Sequence, residues 1–263
     1  MFTYLDNRAL LKVSGADAEN FLQSQFSNDV KQIQEGQLQI NAYCQHQGKI
    51  IAILWVFKRN SNYYLSIPSE LKTIVLSKLN MFKLMSQVEI EDYSSKINQY
   101  GLISENRKDS IKINDNLSLL TSTKILTDNQ HNSDWELACI MDKLPEISVT
   151  NSENYIPQAL NLDIDDMGVS FTKGCYPGQE VVARMHYLGK PKRRLFYFIS
   201  SFGVKAGDRL RTDSSNSLKA SGEVIRVSQK DNKYHFLATF EVNQIENKIF
   251  INDAKDKLAT LIL

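Results

Sequence analysis

Lys173-Gly174-Cys175-Tyr176-Pro177-Gly178-Gln179-Glu180 gathers a thiol, a cation, an anion, two glycines and a proline into one short block. Just upstream, Gly168-Val169-Ser170-Phe171 reads as a short apolar strand, and Gly174 permits a tight turn after it. Pro177 suits the first position of a helix, where its missing N–H is no loss. Such a helix carries Val181, Val182 and Met185 on one face, stops at Gly189 and is kept from continuing by Pro191. Glu180 falls in its first turn, with Arg184 and His186 near its end, the charge order that a helix dipole favours. The spacing therefore predicts strand, loop and helix, with Cys175 just ahead of the helix N-terminus.

A thiol placed there is a candidate reactive group. The positive helix end, with Lys173 and Arg184 nearby, favours thiolate over thiol, and a loop flanked by glycines leaves the sulfur accessible. The plainer alternative is a buried, inert cysteine at a strand–helix junction. For a lone cysteine that alternative would hold; the neighbouring cation and the expected helix end weigh towards chemistry, and a family resemblance adds the deciding weight.

Composition narrows the classes. A chain of 263 residues can bury a sizeable core and divides most naturally into one large and one small domain. Hydrophobic residues at 42% and charged residues at 23% indicate an ordinary soluble globular protein. A net charge of +1 excludes a global polyanion binder while leaving room for a local basic patch. No apolar run reaches membrane-spanning length, and the opening Met1-Phe2-Thr3-Tyr4-Leu5-Asp6 lacks the pattern of a signal peptide. Cys44, Cys139 and Cys175 are odd in number and far apart, which suggests a reducing cytoplasm and no disulfide framework. Neither C-x-x-C nor H-x-x-x-H occurs, so no preformed metal cage is expected.

Along the chain, residues 9–13 form a short strand and 16–26 a helix with Ala18, Phe21 and Leu22 at helical spacing. Leu38, Ile40, Ala42 and Cys44 alternate with polar partners as a half-buried strand does. Residues 50–57 are apolar enough for a central strand, and 63–67 are expected to pair with it. Ser69 and Glu70 open a helix with Leu71, Ile74, Val75, Leu79 and Phe82 on one side, and 88–90 form another strand. This β-α-β-β-α-β order suggests a ferredoxin-like, two-layer α+β arrangement. Residues 92–150 are the least legible: 99–104 and 117–121 have strand character, 106–109 and 127–134 loop character, and 151–154 suit a connector. After Pro191, short β runs at 195–199, 223–227, 234–238, 249–251 and 258–263, separated by turn residues, predict a small antiparallel barrel. Two domains result, 1–191 and 192–263.

The 173–180 block resembles the K-G-C-Y-x-G-Q-E motif of the YgfZ family, matching all seven specified positions with Pro177 at the free one. Leu11-Lys12-Val13-Ser14-Gly15-Ala16-Asp17-Ala18, Phe21-Leu22-Gln23 and Ser27-Asn28-Asp29-Val30 resemble the opening of the aminomethyltransferase folate-binding superfamily. Residues 44–56 are similar to its next strand pair, and the C-terminal β segment to its barrel. The resemblance implies ferredoxin-like folate-binding domains in a three-lobed ring whose opening accepts tetrahydrofolate, followed by the barrel. It implies a folate-binding accessory role in iron–sulfur cluster assembly or repair, supporting cluster enzymes such as those that modify tRNA. Cys175 is then the key thiol, Lys173 its catalytic neighbour, and Gly174, Tyr176, Gly178, Gln179 and Glu180 the rest of the motif. A cluster would be held transiently, because one cysteine cannot satisfy it alone. Partners would be folate and iron–sulfur assembly or client proteins, with no membrane.

One departure matters. The glycine-cleavage aminomethyltransferases carry an acidic pair in the strand after the glycine turn, where this chain has Ala52 and Ile53. General acid–base work there has no titratable group. A one-carbon transferase with a rearranged site is therefore the alternative, not the first choice. Asn28 and Asp29 could hold a pterin edge, with Arg184 on the folate, or could simply close a turn. Arg184, His186, Lys190, Lys192, Arg193 and Arg194 form a run without acids, suited to folate-tail carboxylates, an acidic partner or RNA phosphate. Few aromatics interleave with it, which disfavours direct RNA binding.

Overall fold

The protein is described here by a computed structural model covering residues 2–84, 86–105, 107–126, 132–213 and 220–262. The chain opens with β1 (Phe2–Tyr4), which leaves at once for a distant sheet. Then come β2 (Arg8–Ser14), α1 (Ala18–Gln25), β3 (Leu38–Cys44), β4 (Ile50–Arg59), β5 (Asn62–Pro68), α2 (Lys72–Phe82) and β6 (Glu89–Asp92). They build one antiparallel sheet in the order β3-β4-β5-β2-β6. Setting β3 aside, this is the last–first–third–second order of a ferredoxin-like unit, and β3 is an added edge strand. The apolar run of β4 is buried from Ile50 to Phe57, as a strand covered on both faces must be. Helix α1 turns Ala18, Phe21, Leu22 and Gln25 inward at one-turn intervals. In α2 only Val75 and Leu79 are buried, while Ile74 and Phe82, expected on the same face, stand exposed.

The second sheet has the order β1-β7-β9-β8, with β7 (Asn98–Ile103), β8 (Ser110–Lys112) and β9 (Leu117–Ser122). Helix α3 (Asn132–Met141) packs on it through Trp135. Gly101 makes the seat, since a Cβ there would come within 2.4 Å of the indole. Residues 127–134 were expected to be loop. Residues 127–131 lie outside the described residues, but Asn132, Ser133 and Asp134 belong to α3, whose polar first turn masked it.

The third lobe is a closed barrel, β10-β13-β12-β11-β14-β15. Its strands are β10 (Arg193–Ser200), β11 (Arg209–Thr212), β12 (Gly222–Lys230), β13 (Lys233–Glu241), β14 (Ile249–Ile251) and β15 (Ala254–Ile262). Between α3 and the barrel lies α4 (Gln179–Leu188). The segment 168–171, expected as a strand, is irregular. Its polar backbone is taken up by Ser27, whose Oγ donates to the Gly168 carbonyl and whose own carbonyl accepts the Ser170 N–H at 3.0 Å.

One apolar core runs through all three lobes, and the barrel holds a second around Phe198, Phe236 and Phe240. Two buried arginines clasp the lobes. Arg8 on β2 pairs with Glu146 and lies 3.5 Å above the Trp55 ring. Arg226 on β12 makes a forked pair with Glu136 of α3 and donates to the Leu144 carbonyl at 3.0 Å. Among the described residues, no helix is long and apolar enough to cross a membrane.

Candidate functional site

The motif loop is fixed by its glycine. Tyr176, Pro177, Gly178 and Gln179 make a turn closed by the Gln179 N–H donating to the Tyr176 carbonyl at 3.1 Å. Proline at its second position and Gly178 at φ 84°, ψ 0° at its third define type II. Pro177 therefore precedes α4 instead of starting it, and Gly178 is the N-cap. A Cβ on Gly178 would lie 2.5 Å from the Gln45 carbonyl oxygen and from Gly48 Cα, so the helix start presses against the β3–β4 turn. Gly174, by contrast, has open space where a Cβ would be and no positive φ. Of the expected inward face of α4 only Val182 is fully buried, and Val181 is exposed.

Around this turn the motif side chains go separate ways. Cys175 is exposed, whereas Cys44 and Cys139 are buried, and burial pushes both of their thiols up to about 12. Lys173 is buried, and its ammonium donates to the carbonyls of Gln23, Phe26 and, at 3.2 Å, Asn28. Those carbonyls include the C-terminal end of α1, where a cation is favoured. Burial pulls the Lys173 pKa down to about 8, against the opposing charge of Asp29. Tyr176 is buried with the Lys173 ammonium 5.1 Å from its ring, and burial raises its pKa. Glu180 pairs with Arg184 one turn on, both well exposed.

A cavity of about 550 Å³ opens where the first two lobes meet the segment leading into the motif. Asn28 and Asp29 line it from the first lobe, Ile113 from the second, and Phe171 and Thr172 from the lead-in. Asn28 is held by its neighbours: its Nδ2 donates to the Ile40 carbonyl and, at 3.4 Å, to that of Asp166, and its Oδ1 accepts the Asp29 N–H. Asp29 uses Oδ1 on Gln23 and on the Lys31 N–H, leaving Oδ2 without a hydrogen bond from the described residues. Arg184 does not line the cavity, and neither does Cys175. Sequence reasoning missed Ile113, Met167 and Phe171. The ring of Phe171 stacks on His186 of α4 at 3.7 Å, a contact between residues distant in sequence that no local pattern announces.

Two arginines of the basic run are neutralised by acids from elsewhere in the fold. Arg194 makes a forked pair with Asp163, and Arg193 approaches Glu241 at 3.5 Å. Ala52 and Ile53 are fully buried apolar residues of β4, so no acid stands at that step of the strand. Among the described residues, no group of three or more His, Cys, Asp or Glu is placed to hold a metal.

No sequence-family profile matches the chain. It is 35% identical over 205 residues to an uncharacterized protein of Haemophilus influenzae, covering 75% of this chain and 72% of that one. It is 28% identical over 257 residues to the tRNA-modifying protein YgfZ of Colwellia psychrerythraea, covering 84% and 79% of the two chains. The YgfZ of an Enterobacter species is 29% identical over 264 residues, covering 86% and 81%. The chain belongs to the YgfZ family. Its YgfZ fold superposes on the glycine cleavage system aminomethyltransferase T of Bartonella henselae with a TM-score of 0.72. That match covers 99% of this chain and 84% of the other at 11% identity. The three-lobed, aminomethyltransferase-like architecture expected from the YgfZ resemblance is thus the one observed.

Proposed function

We propose that this protein is a folate-binding accessory factor in the assembly or repair of iron–sulfur proteins. It would work in the cytoplasm, supporting cluster enzymes such as those that modify tRNA, with Cys175 as its working thiol. The observation that carries this reading is one exposed sulfur on a loop anchored to the wall of a ligand-sized cavity. Lys173 ties that loop to the carbonyl of Asn28, a residue lining the cavity. The name of the curated relatives supports the link to tRNA modification.

The cavity residues fit a pterin. The free Asp29 Oδ2 would accept hydrogen bonds from an aminopyrimidine edge, and Ile40, Met167 and Phe171 supply apolar walls. Tetrahydrofolate, when bound, would supply a carrier for one-carbon units. Cys175 would give one ligand to a passing cluster, the others coming from the client or from small thiols. Transferase chemistry is not favoured, because Ala52 and Ile53 offer no proton-transfer group.

The test compares Cys175→Ala with Cys44→Ala for rescue of a cluster-dependent enzyme in cells lacking this protein. Loss with the first and retention with the second is expected, and equal rescue ends the thiol reading. Asp29→Ala should weaken tetrahydrofolate binding about tenfold by calorimetry. Unchanged affinity would remove Asp29 from the site.

A further inference from the structure

A second, unrelated feature lies where the end of α4 meets the barrel. Two adjoining cavities of about 540 and 480 Å³ share Lys190, Pro191, Lys192 and Glu241, and together form a cleft between the end of α4 and the barrel. The Val242 N–H donates to the Lys192 carbonyl at 3.0 Å, fastening the two walls to each other.

The cleft has a sign and a floor. Arg193 and Glu241 offset one another, and among the described residues neither Lys190 nor Lys192 has an acidic side chain within ion-pair distance. Both lysines are exposed, so two uncompensated positive charges rim the opening. Below them Ile156, Ala159, Met185 and Pro191 present aliphatic surface.

We propose that this cleft docks an acidic segment of a partner protein, anchored by one aliphatic side chain among Ile156, Met185 and Pro191. Charge complementarity selects the acidic class: two free cations at the rim attract an anionic chain and set its direction. The floor selects a peptide over a nucleic acid, because the one aromatic residue in it, Tyr155, is buried and offers no face for a base. A glutamyl tail would satisfy the lysines and leave the aliphatic floor unfilled. This surface shares no residue with the cavity at Asp29 and does not depend on Cys175.

The probe is a short fluorescein-labelled peptide of Asp and Glu around a single Leu, titrated into the full-length protein by anisotropy. Binding is expected to weaken as salt rises. The pair Lys190→Glu and Lys192→Glu should weaken it about tenfold, and so should replacement of the peptide's Leu by Ser. The pair Lys255→Glu and Lys257→Glu, which changes net charge equally on exposed β15 positions outside the cleft, should leave it nearly unchanged. No binding at low salt, or equal loss with both lysine pairs, overturns the proposal. Tighter binding of oligo-γ-glutamate or of single-stranded RNA through the same two lysines also overturns it. Tetrahydrofolate binding, read in parallel, should not respond to either lysine pair.

Discussion

Lys173 shows most clearly how one side chain shapes this site. Three carbonyls depend on its ammonium, so Lys173→Met leaves buried acceptors without a donor, and a loss of about 2–3 kcal/mol is expected by urea denaturation at neutral pH. Its pH signature has a definite sign. The folded pKa of about 8 lies below the ordinary 10.5, so between those values the unfolded chain holds the proton more tightly than the folded one. Stability conferred by the wild-type residue then rises with pH across that window, and the gap to Lys173→Met should widen. A gap that narrows there would mean that the carbonyls outweigh burial. Asp29 illustrates a second point at this scale: of two adjacent polar residues, the one with an oxygen left over is the one able to meet a ligand.

Among the elements, the turn into α4 makes the sharpest forecast. Gly178→Ala must place a Cβ against backbone on a left-handed residue, with an expected loss of about 2–4 kcal/mol. Gly174→Ala meets nothing and should change stability by less than about 0.5 kcal/mol. Thermal melts of the two variants distinguish them, and equal shifts would refute the turn assignment. Much at this scale was legible in the sequence. β4 announced itself by eight apolar residues and α1 by its one-turn spacing. The short β runs at 195–199 and 223–227, set off by turn residues, likewise pointed to the barrel strands β10 and β12. What stayed hidden were short strands defined by remote partners. β1 is three residues long and pairs with β7 almost a hundred positions away, β8 buries only Ile111, and β11 buries only Leu210 and Thr212. The segment 168–171 misled for the opposite reason: it has strand composition, but Ser27 takes up its backbone. The thiol loop could be read locally, whereas the cavity wall at Ile113 and Phe171 exists only after folding.

For the whole molecule, the buried arginines add polar clasps to the apolar core that joins the lobes. Arg226→Met strips Glu136 of its forked partner inside the junction, and about 2–4 kcal/mol of stability should go with it. Adding Glu136→Leu should recover most of that loss in the same denaturation experiment, since an apolar pair tolerates the site better than a stranded charge. No recovery would mean that the arginine serves the Leu144 carbonyl more than the glutamate. The distribution of sulfur also matters at this scale. With Cys44 and Cys139 sealed inside, the atom at Cys175 has no mate within its own chain. Oxidation can join it only to something that arrives from outside, whether a small thiol, a twin or a guest, so each covalent event at that position is an encounter between molecules and follows their concentrations.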